Sequence, residues 1–304
     1  MYKRQHISII ILTIFITFIP FQSVHSDNAA KDMQVHFINV GQGDSIYIRT
    51  PSSKHILIDG GPPKYGKKVV NYLKQQGVKK LDLVVATHPD IDHIGGLVTV
   101  MKQLEIKKML DSGKLHTTKR YSKYIQELVK QEIPISIAKM DEEIELDPSL
   151  NIQVLNTYQP SRTNNQSSIV LQVSYKQVDF LFMGDVEMKQ EKDIRKKVDA
   201  SVEILKVAHH GSKTSSSLSF LQSIQPNIAI LTYHKNNRYG HPVERVIHHL
   251  YKVGASIYST GALGHLVIRT DGTTYMVEPE KEPYDALYAS SLFTKIYKSD
   301  IVII

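Results

Sequence analysis

Thr87-His88-Pro89-Asp90-Ile91-Asp92-His93-Ile94-Gly95-Gly96 sets two imidazoles and two carboxylates within six residues, directly after the apolar run Leu83-Val84-Val85-Ala86. That run is short and rich in valine, which suits a buried strand, and the apolar stretch after His93 to Leu104 suits a helix. The four polar side chains therefore fall in a strand-to-helix loop whose alternate residues can point into one cleft. Carboxylates this close repel each other unless a cation lies between them. Imidazole and carboxylate together form a ligand set for one or two divalent ions. The competing reading is a solvated turn that caps the helix; it explains one such side chain but not four.

Upstream, Val35–Val40 and Ser45–Ile48 read as strands of a hairpin joined by Gly41-Gln42-Gly43-Asp44, with Asp44 either a turn cap or a part of the chemistry. A strand at His55–Ile58 delivers Asp59-Gly60-Gly61. Lys67–Gln76 has the apolar spacing of a helix at Val69, Val70 and Leu73, ends at Gly77, and crosses over to the strand ending at Ala86. Downstream, the spacing predicts a strand near Met109-Leu110, a helix over Tyr121–Gln131, and strands at Ile135–Ile137 and Ile144–Leu146. His116 stands among Thr and Lys and reads as a surface residue.

In the second half, strands are expected at Ile152–Asn156, Ile169–Tyr175 and Val178–Met183, with a polar loop over Ser161–Ser168. Gly184-Asp185 closes the third of these strands, so Asp185 is either a ligand or the cap of a helix beginning near Glu187. Another buried strand, Val202–Ala208, runs into His209-His210-Gly211-Ser212-Lys213. Neighbours on an extended segment point opposite ways, so one histidine ligates while the other contacts substrate or packs. After the strand Asn227–Tyr233, the loop Lys235–Pro242 gathers cations, amides, Tyr239 and His241, and Ser256–Glu278 supplies closing strands with a turn at Asp271-Gly272. The Ser/Thr/Lys run from Ser212 and Lys213 to the helix start near Ser217 either holds a phosphate oxygen through backbone N–H groups or is an ordinary helix cap. His248 and His249 fall on a helix away from this chemistry.

The ordered set Asn39-Val-Gly-Gln-Gly-Asp44, Ile58-Asp59-Gly60-Gly61, His88-x-Asp90-x-Asp92-His93, Met183-Gly184-Asp185 and His209-His210-Gly211-Ser212 resembles the metallo-β-lactamase superfamily. More narrowly, it resembles the hydrolase domain of ComEC-type competence proteins, over about Val35 to Glu278. The resemblance implies an α/β fold, an αββα four-layer sandwich with a metal centre at one edge of its two sheets. It implies His88, Asp90, Asp92, His93, Asp185 and His209 as metal ligands, Asp185 bridging, and Asp59 orienting the loop by hydrogen bonding. It sets His210 with Ser212, Lys213, Arg238 and His241 on the substrate side. Asp90 or Asp92 would accept a proton from the attacking water, and His241 would assist the leaving oxygen.

Two departures from the superfamily pattern stand out. Asp90 occupies the place of a second imidazole, and no histidine lies between His116 and His209, although Asn164 and Asn165 fall there. More oxygen in the site moves preference from zinc towards manganese, with magnesium a further option.

Composition bounds the rest. The 304 residues are 41% hydrophobic and 22% charged, which suits a globular domain over residues 33–280 and excludes a disordered or fibrous chain. Residues 1–26 read as a secretory signal peptide: Lys3 and Arg4, an apolar run from Ile7 to Ile19, then Val24-His25-Ser26. Export follows, either free or on an uncleaved N-terminal anchor. The run is short for a membrane span. With no cysteine, the exported domain has no disulfides and depends on its core and its metal. Of 37 basic and 30 acidic residues only Lys3 and Arg4 leave with residues 1–26, so the remainder keeps a small positive surplus. That surplus is compatible with nucleic acid or another anionic phosphodiester polymer. The resulting expectation is a secreted phosphodiesterase or nuclease acting on DNA. Cleavage of a cell-wall teichoic acid is the alternative, and a binding module with a degenerate metal site is the non-enzymatic one. The tail, 281–304, has no assigned role, and oligomeric state stays open.

Overall fold

The computed structural model describes residues 32–198 and 201–282. The expected signal peptide, and the tail from residue 283 on, lie outside the described residues. Among the described residues no helix is long and apolar enough to cross a membrane.

The strands form two large sheets. In space the first runs Tyr275–Pro279, Leu266–Thr270, Met33–Phe37, Ile46–Arg49, His55–Ile58, Leu83–Ala86, Met109–Asp111, Ile135–Ile137. The second runs Ser256–Ser259, Ile228–Leu231, Ile204–Lys206, Val178–Phe182, Val170–Tyr175, Asn151–Asn156. Side-chain alternation explains why they stack. Val35, Phe37, Ile46, Ile48, Ile56, Ile58, Leu83 and Val85 point inward against Phe180, Phe182, Ile204, Ile228 and Ile230 of the second sheet. The residues between them, Tyr47, Leu57, Val84 and Ala86, point outward under the helices Gly66–Gln75, Leu97–Gln103 and Lys119–Lys130. On the far side, Leu181, Leu205, Ala229 and Leu231 meet the helices Leu218–Ile224 and Glu244–Lys252. Strands covered on both faces are apolar at successive positions, as their sequences are. The result is the expected αββα four-layer sandwich.

Three local expectations need correction. Ile144–Leu146 forms no strand: its backbone gives one hydrogen bond, from Ile144 N to Ile152 O, beside a single bridge between Glu143 and Gln153. The helix after the loop is broken into Ile91–Ile94 and Leu97–Gln103, because Gly96 N–H donates to Gly61 O at 2.7 Å. The strand before His209 stops at Lys206.

The break in that helix matters for the site. Gly60 N–H donates to His93 O at 2.8 Å, and a Cβ built on Gly96 would collide with the Gly60 carbonyl. Gly60-Gly61 and Gly95-Gly96 thus lie backbone to backbone and clamp the metal loop. Gly96→Ala is expected to lower stability by about 1–3 kcal/mol, the usual cost of overpacking, read as a fall in the urea midpoint.

Candidate metal centre

Five chain segments deliver side chains to one end of the sandwich. The strand Leu83–Ala86 ends in the loop carrying His88, Asp90, Asp92 and His93; Val178–Phe182 leads to Asp185; Ile204–Lys206 leads to His209 and His210. The loop after Phe37 brings Asp44, and the polar loop before Val170 brings Asn164, Asn165 and Ser168.

Asp185 is the hub. Its Oδ2 lies 3.4 Å from His93 Nε2, 3.5 Å from His210 Nε2, 3.7 Å from His209 Nε2 and 3.9 Å from His88 Nε2. It does not cap the next helix, Met188–Ile194, whose N-cap is Glu187. Burial disfavours its charge, yet His210, His93 and His209 hold the carboxyl well below the usual range. Ligand atoms of His88, His93 and Asp185 all lie within 4.8 Å of one another, as do those of Asp92, His93 and His210.

The decisive feature is what these atoms lack. Nε2 of His88, His93 and His210 and Oδ1 of Asp185 are buried without a hydrogen-bond partner. Leaving several polar atoms orphaned in one place costs about 1–3 kcal/mol each. One or two cations held among them would satisfy these atoms, so the donor set fits divalent metal.

The other ring nitrogens are held from behind. His93 Nδ1 donates to Asp59 Oδ2 at 2.7 Å, while Thr87 supplies its N–H and hydroxyl to the same carboxylate at 2.9 and 2.7 Å. Asp59 is fully engaged this way and orients the loop. Asp59→Asn is expected to weaken metal binding by roughly 10- to 100-fold while the chain stays folded, as measured by isothermal titration with manganese or zinc. His88 Nδ1 contacts the hydroxyls of Thr87 and Ser168 at 3.0 and 3.2 Å. Asp90 and Asp92 lie at the half-exposed rim: Asp90 Oδ2 is 3.7 Å from His88 Nε2, its Oδ1 accepts from Asn164 at 2.6 Å, and Asp92 Oδ2 is 3.7 Å from His210 Nε2.

The argument from opposite-facing neighbours fails at His209-His210. Both residues are left-handed, with φ of 49° and 55°, so the chain coils and both rings reach Asp185. His210 is the buried one of the pair and has the orphaned Nε2; its Nδ1 donates to Thr232 O at 2.8 Å. His209 is half-exposed, with Asn165 Nδ2 at 3.4 Å from its Nε2 and Thr214 Oγ1 at 3.1 Å from its Nδ1.

Asp44 is more than a turn cap. It is buried; its Oδ2 pairs with Lys206 Nζ at 2.8 Å and its Oδ1 accepts from Thr232 Oγ1 at 2.5 Å, 3.5 Å from His210 Nδ1. Although its position is near enough to the cluster for ligation, both oxygens are committed elsewhere. Burial would raise its pKa, but Lys206 and then His210 hold it below the usual range. Beside the motif that ends at Asp44, the sequence holds a hint of the pair in Lys206 itself, a cation inside the otherwise apolar run Ile204-Leu205-Lys206-Val207-Ala208.

The substrate-side residues are less unified. His241 lies beside the cluster, its ring 5.5 Å from that of His209 and 6.4 Å from that of His210. Burial and then the two neighbouring imidazoles lower it to about 4, so it is neutral at pH 7 and offers hydrogen bonds without a charge. Ser212 is buried and its hydroxyl turns back to Thr214. Lys213 and Arg238 are exposed, and among the described residues neither side chain bonds to the cluster.

The model of the metallo-beta-lactamase superfamily matches residues 38–233, more than half the chain. The chain belongs to the metallo-β-lactamase superfamily. Within it, ComE operon protein 3 of Bacillus subtilis (strain 168) is 29% identical over 277 residues, 84% of this chain and 35% of that protein. Competence protein ComA of Neisseria gonorrhoeae is 26% identical over 268 residues, 85% of this chain and 35% of that protein. The chain spans about a third of the length of these competence relatives. Among solved structures, the metallo-beta-lactamase fold protein YhfI from Bacillus subtilis superposes with a TM-score of 0.53 at 13% identity, over 79% of this chain and all of that one. That likeness concerns the fold alone.

Proposed function

We propose that the chain is a metal-dependent phosphodiesterase that hydrolyses DNA. The observation that carries the chemistry is the convergence of four orphaned atoms, Nε2 of His88, His93 and His210 with Oδ1 of Asp185. These residues would hold one or two divalent ions, manganese or zinc, with Asp90, Asp92 and His209 at the rim. When bound, such ions lower the pKa of water and offset charge developing on a phosphate. The protein's own part is positional: Asp59, Thr87 and Ser168 fix the imidazoles, and the rim carboxylate Asp90 or Asp92 accepts a proton from water. His241, uncharged, hydrogen-bonds a substrate oxygen. DNA is favoured over other phosphodiesters by the kinship with competence proteins, and the leader-like residues 1–26 favour action outside the cell.

Hydrolysis of bis(p-nitrophenyl) phosphate and of linear DNA by metal-stripped protein, with manganese or zinc restored, tests this reading. Cleavage of both substrates that depends on added metal supports it. Cleavage of neither, with metal demonstrably bound, would leave a binding module.

A further inference from the structure

The loop after the strand Ile228–Leu231 presents Tyr239 at the surface, 54% exposed, next to the metal centre. Its ring stacks on His241 at 5.6 Å with 23° between the planes, and His241 leads to His209 at 5.5 Å. The Arg238 guanidinium lies over the tyrosine ring at 5.2 Å and donates to its hydroxyl at 3.3 Å. No carboxylate pairs with Arg238 among the described residues.

This presentation is built. Asn237 Oδ1 accepts from the N–H groups of Tyr239 and His241, both at 3.0 Å, while its Nδ2 donates to the carbonyls of His234 at 2.8 Å and His241 at 2.5 Å. One asparagine thus fixes the loop so that an aromatic ring, and a cation not committed to any carboxylate among the described residues, stand beside His241. An exposed ring of this kind gains little for stability, but it suits a planar ligand. Unpaired nucleobases stack on tyrosine and on arginine planes, and a phosphate within reach takes the guanidinium.

We propose that Tyr239, with Arg238, is a base-stacking platform for a single-stranded nucleic acid whose adjoining phosphodiester lies at the metal centre. The inference rests on the phosphodiesterase reading above and narrows its substrate to a strand with unpaired bases. Duplex DNA keeps its bases stacked on one another, and a teichoic acid backbone offers no base to the ring.

The test compares the full chain with its Tyr239→Ala and Tyr239→Phe variants on two manganese-supplemented substrates, an oligothymidylate and an abasic oligodeoxynucleotide of equal length. Tyr239→Ala is expected to raise KM for the oligothymidylate on the order of 10-fold or more, several-fold beyond any change on the abasic strand, and Tyr239→Phe to restore it. Equal loss on both strands would overturn the proposal, because Tyr239 would then only support His241. Loss on neither strand would overturn it as well. If the wild-type chain cleaves bis(p-nitrophenyl) phosphate but neither strand, this proposal fails while metal-dependent phosphodiester hydrolysis stands. If it cleaves nothing, the functional reading fails first.

Discussion

Asp185→Asn is expected to strip most of the metal from the protein and to lower phosphodiester hydrolysis roughly a thousandfold or more, about 4 kcal/mol in the barrier. Among the described residues Asp185 is the one carboxylate within 4 Å of four imidazoles, and its Oδ1 has no hydrogen-bond partner. Asparagine keeps the shape and one oxygen but loses the charge that would attract a divalent cation among these imidazoles. The backbone hydrogen bond from Asp185 N to Ser168 Oγ at 3.1 Å is untouched by the change, so the loop should hold its course. Metal content, measured by mass spectrometry, and turnover should therefore fall together. Thermal stability should fall only by what bound metal contributes through mass action. His116→Ala is the control: that ring accepts a hydrogen bond from Thr118 N outside the cluster, and neither metal nor turnover should change. An Asp185→Asn protein with near wild-type turnover would reduce Asp185 to a structural residue.

Lys206→Met is expected to cost about 3–5 kcal/mol of folding stability, the usual penalty for removing one member of a buried ion pair. Lys206 is among the largest fully buried side chains, with Nζ 2.8 Å from Asp44 Oδ2 and 2.9 Å from the Val207 carbonyl. Methionine fills a similar volume, so little of the loss comes from packing. The loss comes from leaving the Asp44 charge stranded between the sheets. Removing that charge as well should recover much of it: Asp44→Asn with Lys206→Met should be more stable than Lys206→Met alone, by a coupling of the size seen for contacting groups. Urea denaturation of the metal-stripped proteins measures both values. Additive effects of the two substitutions would mean that the pair does not act as a unit.

These two residues also show where a sequence can be read and where it cannot. Strands such as Leu83–Ala86 and Ile228–Leu231 were legible because both faces are covered, which forces apolar residues at successive positions. Ile144–Leu146 misled because the alternation Ile144-Glu145-Leu146 has the period of a strand with or without a partner, and pairing here stops at one bridge. The positions of His88, His93 and Asp185 followed from a rule of topology, that strand ends bring residues distant in sequence to one edge. The His209-His210 pair escaped it, since two consecutive left-handed residues cannot be told from an extended segment by composition alone. Asp44 escaped for another reason: its partner lies 162 positions away on the other sheet, and only the stacking of the sheets brings them together. Asn164 and Asn165 fell in the span where a histidine was missing, and the structure sets them against Asp90 and His209.

The most direct test of the account is anomalous diffraction from crystals of the chain grown with manganese and collected at the manganese absorption edge. The account predicts a peak at coordination distance from His88 Nε2, His93 Nε2 and the Asp185 carboxylate, and loss of hydrolysis when a chelator removes it. Full hydrolysis by protein with no anomalous peak among these residues would contradict it.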